Sequence, residues 1–160
     1  MTNRDKLTYY EDIKIIKMQI AESEEMSMSV WGIGAYFPGE REDIAKQCIM
    51  GETIIIGYSE QEKPKLYEKL RSVKAGDLVF IKSRFMPTKP LRVKAVGIAL
   101  GSKVSIENGM DGKQGIKIHW IEDFTNAPRI IQKGQEYDGD NQTIYQEMNE
   151  DVIRQIVEFL

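Results

Sequence analysis

The sequence predicts a mixed α+β fold, in which helices are inserted into a mostly antiparallel, barrel-like β-sheet. Short segments rich in β-branched and aromatic residues, separated by turn signals, follow one another from residue 26 onward. Segments with helical spacing lie early in this series and at its end. At 160 residues, 41% of them hydrophobic, the chain can bury about two thirds of the surface that its unfolded form exposes. We therefore expect a folded core that requires no disulfide or metal.

The first 25 residues differ from the rest of the chain. Five apolar residues there follow helical spacing, namely Leu7, Tyr10, Ile13, Ile16 and Ile20. This spacing predicts a helix that buries one side, although residues 16–20 also satisfy strand alternation. We expect two parts, an N-terminal helical appendage over residues 1–25 and a domain over residues 26–160. The appendage either packs on the domain or binds a protein partner, a second copy of this chain included.

Three elements are expected between residues 27 and 58. Residues 27–36 alternate small or polar side chains with larger ones, as a strand does, and the Pro38-Gly39 pair then turns the chain. Residues 40–50 suit a short helix, whose apolar side carries Ile44, Cys48 and Ile49. Residues 53–58 are sufficiently β-branched to predict a buried strand.

Clear start and stop signals define the elements in the middle of the chain. Pro64 stands where a helix begins, because its missing N–H is not needed in the first turn. The Gly76-Asp77 pair ends that helix, and a strand over residues 78–82 follows. Residues 92–100 alternate cleanly and predict the next strand.

The last third of the chain is expected to return to the sheet and end in a helix. Two turn dipeptides within residues 108–112 precede a strand over residues 115–121. An irregular segment over residues 123–141 leads to a short strand over residues 143–145. Asn149 can then cap a terminal helix with an apolar side.

The charge is distributed unevenly along the chain. The net charge is −3, but residues 63–94 carry ten basic and two acidic side chains. Such a block is compatible with a local anion-binding face. The alternative is that these lysines and arginines form the solvated side of a helix and two strands.

Several kinds of site are excluded or disfavoured by the residue types present. The chain has one cysteine, Cys48, and one histidine, His119, which excludes an intramolecular disulfide and a multi-histidine metal site. No nucleophile–histidine–acid set can be assembled, and the segment over residues 138–141, which begins like a calcium loop, lacks the closing glutamate. We therefore expect no enzyme, no cofactor and no metal. With no apolar run near the ~20 residues of a membrane span and no secretory signal, we expect a cytoplasmic protein.

An ordered set of short motifs resembles the PUA-like superfamily, especially EVE and YTH-type modules and the modified-base readers of restriction systems. The motifs are Trp31-Gly32-Ile33-Gly34, then residues 73–82, then residues 93–99, with Trp120-Ile121 and residues 143–145 before the last helix. The resemblance covers residues 27–160. It implies a small β-barrel whose mouth holds an extruded nucleobase in an aromatic pocket.

Two groups of residues are candidates for such a site. Trp31 is expected to line the pocket, since stacking of a base on an aromatic ring gains ~1–3 kcal/mol, with Tyr36 and Phe37 at the rim. The alternative is that Trp31 fills the core. Phosphate contacts need cationic donors at a rim, and the end of the strand over residues 78–82 and the loop after it offer Lys82, Ser83, Arg84 and Lys89. Asp77 is expected to be structural, bonding backbone amides in its turn.

The function that these observations predict is a non-enzymatic nucleic-acid-binding module that recognises a modified or flipped base. Base extrusion costs a few kcal/mol, which stacking and phosphate contacts would have to supply. Two alternatives stay open on the same fold. One is a protein-interaction domain that uses the N-terminal helix or an apolar face, and the other is a sensor of a small nucleotide ligand.

Overall fold

The computed structural model describes residues 2–21, 28–37, 42–83, 90–105, 114–132 and 142–160. The described helices are α1 (Asn3–Ala21), α2 (Ala45–Met50), α3 (Pro64–Ser72) and α4 (Glu150–Glu158). The described strands are β1 (Val30–Gly34), β2 (Tyr36–Phe37), β3 (Glu42–Asp43), β4 (Thr53–Ile55), β5 (Leu78–Ser83), β6 (Arg92–Ala99), β7 (Gly115–Asp123), β8 (Arg129–Ile130) and β9 (Ile144–Gln146). The predicted α+β class is confirmed.

Seven of these strands form one sheet that curls into a half barrel. Its order is β4-β7-β6-β5-β1-β9, and β8 pairs with the first residues of β6. Among the described strands, β1 and β5 are the only parallel pair, and all other pairs are antiparallel. β2 and β3 form a separate two-stranded sheet just after β1. The expectation of a mostly antiparallel sheet is therefore confirmed.

The core divides into two clusters, one on each face of the sheet. On the inner face, Trp31 and Ile33 of β1 pack with residues of α2 and α3, among them Cys48 and Tyr67. On the outer face, the buried residues include Ile16 of α1 and Val152 and Ile156 of α4, together with the rings of Phe80 and Tyr145. Helices thus cover both faces, and each face of β1 is buried.

Gly32 of β1 permits a close ring contact on the outer face. A Cβ atom at this position would lie 2.7 Å from both Phe80 and Tyr145, closer than carbon atoms can pack. Those two rings meet edge to face across the glycine, with their centroids 6.3 Å apart. A side chain at position 32 would therefore displace both rings.

Two helix starts agree with the sequence prediction. Helix α3 begins at Pro64, and the Asn149 side chain caps α4 by accepting hydrogen bonds from the backbone N–H groups of Asp151 and Val152, at 3.0 and 3.2 Å. In contrast, the helix expected over residues 40–50 begins only at Ala45. Residues 42–43 pair with β2 instead, and an Asp43 carboxylate oxygen accepts the Ala45 N–H at 3.0 Å.

Several predicted strands have different bounds in the structure. The strand expected over residues 27–36 is interrupted at Ala35, so that β1 and β2 belong to different sheets. The strand expected over residues 53–58 ends at Ile55. The short strand β8 lies within the segment expected to be irregular. The turn dipeptides within residues 108–112 and the segment over residues 138–141 lie outside the described residues.

Helix α1 confirms the helical interpretation of the N-terminal segment but corrects its predicted buried stripe. Ile16 is 1% exposed and joins the outer-face cluster, whereas Tyr10 is 67% exposed. His119 Nε2 of β7 lies 2.9 Å from an Asp12 carboxylate oxygen, which ties the helix to the sheet. The division into parts at residues 25 and 26 stays a prediction. In the described part of the chain, no helix has the length and apolar character that a membrane crossing needs.

Candidate nucleic-acid interface

Trp31 lies in the core, as the alternative interpretation of the sequence allowed. Its side chain is 6% exposed and packs in the inner-face cluster. The indole N–H donates a hydrogen bond to an Asp77 carboxylate oxygen at 3.0 Å. The expectation that Trp31 stands partly open in a base-binding pocket is therefore wrong for this conformation, because Trp31 faces the packed interior of the half barrel.

Asp77 has the structural role that its turn predicted. Its carboxylate accepts the backbone N–H groups of Ser29 and Lys74, at 3.1 and 2.9 Å, in addition to the indole N–H of Trp31. Gly76 precedes it with a φ of 90°, a conformation that strongly favours glycine. The buried carboxylate thus joins the chain before β1, the turn before β5 and the inner-face core.

Lys82 is buried on the outer face, although the sequence predicted a cation at the rim. The residue is 7% exposed, and its Nζ atom lies 5.3 Å from the centroid of the Tyr145 ring. The Tyr145 hydroxyl donates to a carboxylate oxygen of buried Glu147 at 2.9 Å. The Lys82 prediction as a phosphate donor is corrected, because strand alternation directs this side chain away from Trp31 and toward Tyr145.

A bulge interrupts the pairing of β5 with β6 near the carboxyl end of β5. Ile81 pairs with Ala95 and Lys82 pairs with Val93, so Lys94 is the extra residue of β6. Bulges change the direction of a side chain, and Lys94 forms an ion pair with Asp43 of β3. Ser83 pairs with Arg92 at the next position. Arg92 and Lys94 of β6 thus lie at the edge of the sheet where β1 and β5 end.

The remaining predicted residues lie on or next to this edge. Tyr36 is 54% exposed on β2, and its backbone pairs with Asp43, the partner of Lys94. Phe37 pairs through its backbone with Glu42. Arg84 and Lys89 lie outside the described residues. We define the carboxyl-end rim as the set Tyr36, Asp43, Ser83, Arg92 and Lys94.

The structure therefore brings together one part of the predicted site and separates another. Tyr36 and Ser83 belong to the carboxyl-end rim, whereas Trp31 reaches toward Asp77 at the opposite end of β5. The basic block predicted over residues 63–94 includes Arg92 and Lys94, but the sequence did not indicate the ion pair of Lys94 with Asp43. Residues 43 and 94 are 51 positions apart, and no local pattern indicates that they meet.

The described basic residues of the block 63–94 do not share one face. On helix α3, Arg71 forms an ion pair with Glu60 at 2.6 Å, and this contact lowers the pKa of the Glu60 carboxyl. Lys69 donates a hydrogen bond to Gln142 at 2.9 Å. Lys82 is buried, and Lys94 belongs to the carboxyl-end rim. Among the described residues of the block, Arg92 and Lys94 at the start of β6 lie at the carboxyl-end rim.

The described residues offer chemistry for binding. Within the described ranges, no group of three or more histidine, cysteine or acidic side chains is arranged to hold a metal ion. Neither the known protein-family models nor the curated proteins include a match to this chain.

The carboxyl-end rim combines an exposed phenol ring, an exposed guanidinium and an ammonium group, which together suit an aromatic and anionic ligand.

Proposed function

We propose that this protein is a non-enzymatic module that binds nucleic acid at the carboxyl-end rim. An unpaired base stacks on Tyr36, and the neighbouring phosphates contact Arg92 and Lys94. The observation that supports this proposal is the set of contacts that links the exposed Tyr36 to Lys94, through the Tyr36–Asp43 strand pair and the Asp43–Lys94 ion pair, with Arg92 two residues before Lys94 on β6. Membership of the PUA-like superfamily, which implies a ligand at the barrel mouth, is part of the same proposal.

The phosphate contacts depend on Arg92 and Lys94. Arg92 is exposed and can present its planar guanidinium to two phosphate oxygens at once. An ammonium group has three N–H donors, so Lys94 can contact both Asp43 and a phosphate oxygen. Phosphate contacts position a nucleic acid without selecting its sequence, and we expect binding that depends little on sequence.

The base contact depends on Tyr36. Its exposed ring offers a face to any base, and such stacking contributes ~1–3 kcal/mol for each base. A base seated against Trp31 would require the indole to leave the core and to break its hydrogen bond with Asp77. We therefore place the base at the rim, and a modified base would be distinguished there by its contacts with Tyr36 and Ser83.

The proposal is tested by fluorescence anisotropy with labelled single-stranded DNA and RNA oligonucleotides of one sequence. Tyr36→Ala should weaken binding about 5- to 150-fold, the equivalent of one lost stacking contact. Arg92→Glu should weaken binding to all sequences alike. Two phosphate contacts on a single strand predict an affinity about sevenfold lower at 200 mM than at 50 mM salt.

Lys117→Glu is the matched control for charge reversal. Lys117 is exposed on β7 and pairs with Thr53, at the other end of that strand from Asp123, which pairs with Ala95 near the rim. The control should leave binding nearly unchanged. Wild-type protein that binds neither oligonucleotide, or equal losses from Arg92→Glu and Lys117→Glu, would refute the rim as the binding site.

A further inference from the structure

Asp43 is the acidic member of the carboxyl-end rim, and it stands directly opposite Tyr36 in the two-stranded sheet of β2 and β3. Residues that face each other across antiparallel strands project on the same side of the sheet, with their Cβ atoms roughly 4.5–5.5 Å apart. The Asp43 side chain is 49% exposed, and Tyr36 is 54% exposed. A planar base stacked on the Tyr36 ring can therefore present one of its edges to the Asp43 carboxylate.

The Asp43 carboxylate keeps acceptor capacity on both oxygens. An ionised carboxylate accepts hydrogen bonds at about four lone-pair sites and donates none. In the described part of the chain, one oxygen accepts the Ala45 N–H at 3.0 Å, and the other pairs with the Lys94 ammonium group. Each of these contacts uses one lone pair, so each oxygen can accept one further hydrogen bond while the two contacts hold the carboxylate in place.

We propose that Asp43 selects guanine as the base that stacks on Tyr36, an inference that rests on the proposed function. The Watson–Crick edge of guanine carries two adjacent donors, N1–H and the 2-amino group, which match the two oxygens of a carboxylate. Adenine and cytosine offer an amino group beside an acceptor, and thymine and uracil offer one N–H between two carbonyl oxygens. Each of those bases would place an acceptor against the carboxylate, which cannot donate to it.

The same chemistry requires the guanine to be unpaired. In a duplex, cytosine accepts from both of these donors, so the carboxylate can reach them only in a single strand or in a base extruded from the stack. The phosphate contacts of Arg92 and Lys94 carry no base information. The preference therefore acts at the one base on Tyr36, and the rest of the strand contributes little to selection.

Fluorescence anisotropy tests the preference, with short labelled thymine strands that carry one central guanine, adenine, cytosine or hypoxanthine. Wild-type protein should bind the guanine strand about 5- to 150-fold more tightly than the adenine, cytosine or all-thymine strand, the discrimination given by one bidentate pair. Hypoxanthine keeps N1–H but lacks the 2-amino group, so its strand should bind with intermediate affinity.

Asp43→Asn should abolish the preference, because an amide offers one acceptor and one donor where guanine needs two acceptors. Its affinity for the all-thymine strand should not fall, since the change removes a negative charge from the rim, and asparagine can still accept the Ala45 N–H. Glu52→Gln is the matched control. It neutralises an exposed acid beside Thr53, which pairs with Lys117 at the end of β7 remote from the rim, and it should keep the guanine preference.

The outcomes separate base selection from binding itself. Asp43→Asn protein that keeps the guanine preference overturns the proposal, because Asp43 would then act through its charge alone. Equal binding of all strands by wild-type protein also overturns it, and if Tyr36→Ala still weakens that binding, the rim remains the binding site. If no strand binds, both proposals fail.

A guanine in a strand and a free guanine nucleotide share the same edge, and competition distinguishes them. Displacement of the guanine strand by guanosine monophosphate, but not by adenosine monophosphate at the same concentration, supports guanine selection and shows that a free nucleotide suffices. A guanine preference among strands that neither mononucleotide disturbs supports guanine selection within a strand. Equal displacement by both mononucleotides overturns the proposal.

Discussion

The Asp77 carboxylate connects three separate segments through three hydrogen bonds. Two of its donors are backbone N–H groups, and the third is the indole of Trp31. Hydrogen bonds to a charged group contribute ~1.5–3 kcal/mol, roughly twice as much as neutral ones. Trp31 therefore stabilises the protein through its polar edge as well as through its ring.

Replacing Trp31 with phenylalanine separates those two contributions. Trp31→Phe keeps an aromatic ring but removes the donor, and we expect a loss of ~1.5–3 kcal/mol of unfolding free energy. Trp120→Phe is the matched control, because the Trp120 indole donates to the backbone carbonyl oxygens of Cys48 and Thr53 at 3.1 and 3.3 Å. Its loss should be ~0.5–1.5 kcal/mol. Urea unfolding measures both, and equal losses would contradict a special role for the carboxylate.

Cys48 is a thiol held neutral by its surroundings. Desolvation in the inner-face core, opposed by a hydrogen bond with the backbone of Ile55, raises the pKa of Cys48 to about 11. In the unfolded chain a thiol titrates near ~8.5. Because the pKa is higher in the folded state, the associated stability is complete below about pH 8.5 and is lost as the pH rises toward the folded value.

The resulting prediction concerns alkaline pH. Between pH 8.5 and 11 the unfolding free energy of wild-type protein should fall by up to about 3 kcal/mol more than that of Cys48→Ala. The variant lacks the thiol but keeps all tyrosines and lysines, which also titrate at alkaline pH. The difference between the two curves of unfolding free energy against pH therefore isolates the thiol. A difference that is constant across this range would show that Cys48 titrates alike in both states.

At the scale of elements, the described contacts that attach α1 to the sheet include those of Ile16 and Asp12. Ile16 enters the outer-face cluster, and the Asp12–His119 contact lies beside it. The neighbouring Ile15 is half exposed on the other side. Two adjacent isoleucines of one helix thus differ in burial. Substitution of the exposed Ile15 can therefore serve as the control for substitution of the buried Ile16.

Alanine substitution at these two positions measures the attachment of α1. Ile16→Ala should cost ~2–4 kcal/mol, because it leaves a cavity in the outer-face cluster. Ile15→Ala should cost less than ~1 kcal/mol, since little buried surface is lost and alanine favours the helix. Thermal unfolding of the two variants measures both costs. Equal costs would mean that α1 does not dock through Ile16.

Elements with strong local signals could be predicted from the sequence. Pro64 and Asn149 mark helix starts because each acts on the first turn of its own helix. The side of α1 that carries Tyr10 could not be predicted, since an aromatic residue at helical spacing suits a buried and an exposed position equally. The parallel pairing of β1 with β5 also lacks a local signal, because these strands are joined by a long crossover.

For the whole molecule, the candidate site was predictable only in part. Tyr36 and Ser83 follow the ends of strands that were recognised, and these strands end at the same edge. Lys82 precedes Ser83 by one residue, and its burial depends on Tyr145, which is distant in sequence. The bulge at Lys94 arises from the register between β5 and β6, which strand propensities do not encode.

The position of β1 between β5 and β9 has a consequence for the synthesis of this protein. Both neighbours of β1 in the sheet are made after it, β5 soon and β9 roughly 110 residues later, an interval of about 5–20 s at ribosomal rates. Throughout that interval, Trp31 and Ile33 belong to a nascent strand with an unpaired edge. The edge of β1 that faces β9 is therefore paired only when the last of the described strands has been made.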